Sequence, residues 1–208
     1  ALVEHAPANL TVDLWLACAE QSADQNTWDA ICELLPSQRK NVRLNPVTMP
    51  LGELFRRSIF RHRMSQQSKA DVLWLADADY IPMAGCIEAI CAQVQRQDGL
   101  CFPRNYWINH DHATGDAAVA SGDVRLNAEQ FKQVRAKLAI GGIQIIGAAK
   151  AKQIGYLGTG RYAKWQTPEN PDVPFRCFRD DSTWRRMFFP DGGREIDVPN
   201  LYRLRHSL

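Results

Sequence analysis

Asp77 and Asp79 stand one residue apart, directly after the apolar run 71–76 (DVLWLA). In a tight turn two carboxylates at this spacing can meet one cation. Hard oxygen donors suit Mg²⁺ or Mn²⁺, which usually take phosphate oxygens and waters as their remaining ligands. In open α/β sheets, ligands bind beyond the C-terminal ends of strands, and the two aspartates fall at such an end. A metal–diphosphate site is therefore the expectation here; the competing reading is a helix cap beside a solvated turn acid. His110-Asp111-His112 also has the look of a metal constellation. No further ligand stands near it, and Asn109, Thr114 and Gly115 suggest a loop, so no metal is expected there. Of the 25 basic residues, 18 are Arg and 7 are Lys. Arg is the better fork for phosphate, although the bias is equally what a GC-rich genome would give.

The elements that must carry these residues alternate in type. Residues 10–17 alternate like a strand. Trp28, Ile31, Cys32 and Leu35 recur at helical spacing as far as Pro36. A short strand is expected at 42–44. A helix over 51–67 would turn Leu51, Leu54, Phe55 and Ile59 inward and Arg56, Arg57, Arg61 and Arg63 outward. The run 71–76 suits a strand buried on both faces of a parallel sheet. After Pro82 comes a helix with Ile87, Ile90, Cys91 and Val94 inward, then a strand at 99–103. The stretch 105–125 reads as loop or irregular hairpin. Asn127 with Gln130 forms a capping box for a helix carrying Phe131, Val134 and Leu138. Residues 139–147 read as a strand bent at its glycines, and a short helix 148–154 ends at Gly155. A long loop over 158–175, a helix starting near Asp181, a turn at 191–193 and an extended segment 195–205 complete the chain. This order predicts an α/β fold with a mainly parallel central sheet flanked by helices, and a less regular second half.

At this point the chain resembles a known family. A helix bearing Arg, a hydrophobic strand, then Asp77-Ala78-Asp79-Tyr80-Ile81-Pro82 and another helix is similar to the core of nucleotide-sugar glycosyltransferases of the GT-A fold, family-2-like members in particular. The resemblance implies a Rossmann-like domain spanning 1–208, with a donor-binding half to about residue 104 and an acceptor half beyond it. It implies that Asp77 and Asp79 hold Mn²⁺ or Mg²⁺ against the diphosphate of the donor, a UDP-hexose by preference, with Arg56 and Arg61 on the donor side. It implies an acceptor side around Gly142 and Gln144. The segment Arg179-Asp180-Asp181-Ser182-Thr183-Trp184-Arg185-Arg186 resembles the acidic pair that begins a helix in inverting members. Asp181 is then the expected base, with Asp180 next, and Trp184 and Arg185 on the acceptor side; a helix N-cap is the competing reading. Late in the chain, His206 resembles a histidine that completes the metal shell, flanked by Arg203 and Arg205 as contacts to the leaving diphosphate. The strand at 10–17 resembles the family's second, so either the family's first strand with its nucleoside-cradling loop is missing from this chain or the fold differs at its start.

Hydrophobic residues make up 45% and charged residues 23% of the 208 residues, which excludes disorder, coiled coil and collagen-like structure. No run approaches the ~18 apolar residues of a membrane span, and no secretory leader is evident. The six cysteines form no CxxC pair and read as reduced core residues of a cytoplasmic protein. Two other functions compete. One is a haloacid-dehalogenase-like phosphatase using Asp77 as nucleophile, although Ile81 stands where that family has a hydroxyl or Val. The other is a non-catalytic nucleotide-sugar or nucleic-acid binding module. The Arg and aromatic residues interleaved over 175–189 suit phosphodiester and stacked bases, or else an acceptor sugar or the core. The resemblance implies a hydroxyl acceptor, a glycan or lipid-linked sugar before a hydroxylated, phage-type DNA base.

Overall fold

The computed structural model describes residues 7–22, 24–35, 41–54, 57–121, 128–156 and 180–207, of which 51, 52, 121, 128 and 180 are described by backbone only. Strands β1 (Val12–Cys18) and β2 (Val42–Thr48) pair in parallel around helix α1 (Gln25–Leu34). Asp24 caps α1 by accepting the Thr27 N–H, which satisfies one of the free donors of the first turn. β2 runs four residues further than the apolar pattern indicates and contains Pro46. A proline fits there because this sheet has two strands among the described residues, so an outer edge needs no N–H. Helices α2 (Leu51–Leu54) and α3 (Arg57–Gln67) fill the described part of the span 51–67 where a helix was expected; residues 55 and 56 lie outside the described residues.

Strand β3 (Val72–Leu75) then enters a four-stranded sheet of order β3-β8-β5-β9, with β5 at Leu100–Pro103, β8 at Gln144–Gly147 and β9 at Arg194–Ile196. A second sheet has the order β4-β10-β6-β7, with β4 at Tyr80–Pro82, β6 at Asn105–Asn109, β7 at Phe131–Arg135 and β10 at Leu201–Arg203. Helix α4 (Cys86–Gln93) leads to β5, α5 (His112–Ser121) follows β6, α6 (Ala148–Ile154) follows β8, and α7 (Asp180–Phe188) precedes β9. The α/β class is as expected, but the pairing is mixed rather than mainly parallel. β8 lies antiparallel between β3 and β5, and only β5 and β9 pair in parallel in that sheet. A strand buried on both faces is apolar in either direction, so composition cannot report its orientation. Among the described residues β3 lies at the edge of its sheet.

Two further expectations fail. The stretch 105–125, expected as loop or irregular hairpin, holds β6 and α5 over its described residues, 105–121. The helix expected at 131–138 is strand β7, antiparallel to β6. Its proposed cap, Asn127, lies outside the described residues. The three apolar residues taken as a helical stripe are too few to outweigh an available sheet edge. Helix α6 ends at Gly155 as expected, with φ +66°.

The two sheets share one core that includes Leu75, Cys101, Ile145, Ile146, Trp184 and Leu201. Among the described residues the chain passes between the sheets at five places: β3 to β4, β4 to β5, β5 to β6, β7 to β8, and β9 to β10. The expected donor and acceptor halves are thereby interleaved, since β8 sits between β3 and β5 and β10 pairs with β4. Cys18, Cys86 and Cys101 are buried and Cys32 and Cys91 exposed, all as free thiols; Cys177 lies outside the described residues. Burial pushes the Cys86 thiol up to about 12, so it is an inert core group. No helix among the described residues is long and apolar enough to cross a membrane.

Candidate functional site at the junction of the two sheets

Asp77 and Asp79 occupy the β3–β4 crossing, where one sheet ends and the other begins. The antiparallel register of β8 decides what meets them. Gln144 lies opposite Leu75, so the turn that starts β8 (Gly141–Ile143) reaches Asp77, whereas a parallel β8 would have presented its far end. The Trp74 indole N–H donates to the Gly142 carbonyl at 2.8 Å and fixes this turn on β3. Gly142 is required by space: a Cβ there would stand 2.6 Å from both the Asp77 backbone nitrogen and Tyr80 Cε2. Gly141 has φ +38°, and a Cβ on it would lie 3.2 Å from Asp77 Oδ2 and 3.4 Å from Asp181 Oδ2. The two carboxylates therefore face one point across a residue that has no side chain.

Arginines hold the other oxygen of Asp77 and one oxygen of Asp79. Asp77 Oδ1 accepts from Arg57 Nη1 at 3.0 Å and from Arg61 Nη2 at 2.8 Å. Asp79 Oδ2 accepts from Arg203 Nε at 2.7 Å, while the Arg203 guanidinium lies over the Tyr80 ring. Arg57 and Arg61 are four residues apart on α3, hence on one helix face. Arg61 is buried, and burial opposes its charge. The neighbouring Tyr156 and Asp77, with Asp181 further off, outweigh that and raise its pKa. Burial likewise lowers the tendency of Arg203 to stay charged, and its bond to Asp79 more than restores it. Burial pushes the Tyr80 hydroxyl up, so it stays protonated.

A buried chain of polar groups continues from Arg61. Its Nη1 donates to the Tyr156 hydroxyl at 2.9 Å, which donates to Gln144 Oε1 at 2.8 Å. Gln144 Nε2 in turn donates to the Asp181 carbonyl at 3.2 Å. Trp184 stacks on Tyr156 at 4.6 Å between ring centroids, and its indole donates to the Gly155 carbonyl. The first turn of α7 is thus tied to the aspartate turn through fully buried side chains.

The residues expected from the sequence divide accordingly. Asp77, Asp79, Asp181, Arg61, Arg203 and Gly142 come together. Gln144 and Trp184 are wholly buried and their polar atoms are engaged within the chain, so here they support the face rather than line it. Arg185 is buried on α7, and its Nε has no hydrogen-bond partner among the described residues. Asp180 begins α7, and only its backbone is described. Arg56 lies outside the described residues. Arg205 is turned to α5, with Nη2 3.0 Å from His112 Nε2, and its backbone is clamped by the buried Asn109. His206 lies near Asp116 of α5, and its Nδ1 is buried without a hydrogen-bond partner. Asp111 accepts the Thr114 N–H at the start of α5, so the His110–His112 trio is a helix start. Arg57 was expected only as one of the four arginines of the Arg-bearing helix, without a donor contact of its own, and Tyr156 only as the end of an acceptor-side segment 148–156; the buried hydrogen bonds of Tyr156 have no local sequence signal.

The donor set suits a divalent cation in part. Each aspartate keeps one oxygen without a hydrogen bond among the described residues, Oδ2 of Asp77 and Oδ1 of Asp79, and the latter is buried. A buried unpaired carboxylate oxygen is costly, and a cation is a partner that would satisfy it. Among the described residues no three His, Cys, Asp or Glu side chains gather as a metal cage, so His206 does not complete a triad. Two carboxylates with ligand phosphates and waters match the usual coordination of Mg²⁺ or Mn²⁺.

Comparison with known proteins finds no family model, no curated protein and no solved structure that matches this chain.

Proposed function

We propose that this chain is a cytoplasmic, metal-dependent glycosyltransferase. It would move a hexose from a nucleoside-diphosphate sugar, a UDP-sugar by preference, to the hydroxyl of a glycan, a lipid-linked sugar or a hydroxylated DNA base. The observation that carries this reading is the convergence of Asp77 and Asp181 on Gly141, backed by Arg57, Arg61 and Arg203. Arginines that neutralise a diphosphate lower the barrier to its departure. Mn²⁺ or Mg²⁺ on Asp77 and Asp79 would supply further stabilisation of the leaving diphosphate. Asp181 is partly exposed and would accept the proton of the acceptor hydroxyl as that oxygen bonds to the anomeric carbon. The carbon–oxygen bond to the diphosphate breaks on the opposite side, so the reaction inverts configuration. Tyr156, Gln144 and Trp184 act as positioning residues beneath this face.

The test is thermal denaturation with UDP, GDP, CDP or ADP, each with Mn²⁺ and with EDTA. An Asp77→Asn/Asp79→Asn variant serves as the control. A ligand at a hundredfold excess over its Kd adds about 2.7 kcal/mol, roughly 5–10 °C for a chain of this size. Metal-dependent stabilisation by one nucleotide, absent in the variant, is the expected result. No stabilisation by any of them in a folded sample sinks the reading. Hydrolysis of a small phosphate ester instead points to a phosphatase.

A further inference from the structure

Asp77 carries two guanidinium groups on one oxygen, and their surroundings differ. Arg61 is 6% exposed and has three acceptors: the Tyr156 hydroxyl, the Leu75 carbonyl and Asp77. Arg57 is 51% exposed, and its one ion pair among the described residues is with Asp77. Arg61 needs Asp77 to stay charged in its buried setting; Arg57, at the solvent side, does not. A divalent cation reaching the unbonded Oδ2 of Asp77 would put three cationic groups on one carboxylate. Repulsion then falls on the group that is cheapest to release, and an exposed pair is worth little. A diphosphate arriving with the cation offers Arg57 a replacement partner of higher charge and matching fork geometry.

We infer that Arg57 is a handover residue. It holds Asp77 in the empty site and passes to the diphosphate when cation and diphosphate bind, so that the two ligands bind synergistically. This rests on the diphosphate site proposed above and gives Arg57, one of the four arginines of the Arg-bearing helix, a role of its own. It also predicts opposite effects from one substitution. Arg57→Ala frees Asp77 for the cation and removes a contact to the anion.

The experiment measures bound Mn²⁺ by electron paramagnetic resonance, alone and with pyrophosphate or UDP. The native chain is compared with Arg57→Ala and with Arg63→Ala. Arg63 sits on the same helix and pairs with Glu53, so its loss changes the net charge equally without touching Asp77. In the native chain, pyrophosphate or UDP raises Mn²⁺ affinity at least tenfold. In Arg57→Ala, Mn²⁺ alone binds about two- to five-fold tighter, the size of a lost exposed ion pair, and the synergy falls below threefold. Arg63→Ala stays within twofold of native on both counts. Weaker binding of Mn²⁺ alone in Arg57→Ala, undiminished synergy, or equal effects of Arg63→Ala would each overturn the handover while leaving the diphosphate site standing. Absence of any Mn²⁺-dependent binding in the native chain overturns both.

Discussion

Removing one oxygen atom, in Tyr156→Phe, isolates the buried chain that joins the aspartate turn to α7. The ring and its stacking on Trp184 remain. What is lost is a hydroxyl that accepts from Arg61 Nη1 at 2.9 Å and donates to Gln144 Oε1 at 2.8 Å. Both partners are buried, Gln144 completely, and neither has another partner for the atom concerned among the described residues. Each orphaned group costs about 1–3 kcal/mol, more at the charged end, so the substitution is expected to destabilise by roughly 2–4 kcal/mol. For a domain of this size that lowers Tm by roughly 5–15 °C. The assay is urea or thermal denaturation, run beside Tyr106→Phe. Tyr106 is also buried, in the same core, but its hydroxyl makes no hydrogen bond among the described residues; that variant should lie within about 0.5 kcal/mol of native. If Tyr156→Phe costs no more than Tyr106→Phe, the polar chain does not hold the site together and the positioning role given to Tyr156 is wrong.

Gly142→Ala is expected to abolish nucleotide-dependent stabilisation and to cost about 1–3 kcal/mol, because its Cβ meets backbone and a packed ring. Gly99→Ala meets only the Phe189 ring, at 3.2 Å, and should cost less and leave binding intact. Asn109→Ala removes the bonds that clamp the Arg205 backbone. A loss of roughly 2–4 kcal/mol is expected, and faster amide exchange at 204–207 than in β8 would locate it. His62 is a pH marker for the fold, since its Nδ1 accepts the Tyr156 backbone N–H at 3.1 Å and burial holds its pKa below the ordinary 6.5. Just below pH 6.5 the unfolded chain therefore binds more protons at this group than the fold does, and stability rises with pH. The contribution is complete above about pH 6.5 and is lost as the pH falls through the lower, folded value. The urea midpoint should drop more steeply between pH 7.5 and 5 in the native chain than in His62→Asn; equal slopes would remove His62 from the account.

Much of the site was legible from chain-local patterns. Asp77 and Asp79 were marked by an apolar run ending in two acids, and Asp181 by its place at a helix start. The Gly141–Gly142 pair was marked by two glycines in an otherwise branched apolar run, a sign of close backbone approach. Burial overrode the side-chain reading at Gln144 and Trp184, which residue type suits equally to a ligand face or a core. Helical spacing at Phe131, Val134 and Leu138 lost to β-pairing because β6 offered an open edge next to it. Cys91 fell on the expected apolar stripe of α4 yet is exposed, since the core reaches that helix through Cys86, Ile90 and Val94.

Residue order fixed which carboxylates end an apolar strand and which arginines share a helix face, because both depend on spacing within a few residues. Strand direction, and with it the meeting of Asp77 with Asp181, was settled by packing between elements about seventy residues apart, β3 and β8. An apolar strand buried on both faces carries no mark of its polarity. Insertion of β8 antiparallel between β3 and β5 put Gly141 rather than Gly147 beside Asp77, and the buried Arg61–Tyr156–Gln144 chain then had a fixed place to close.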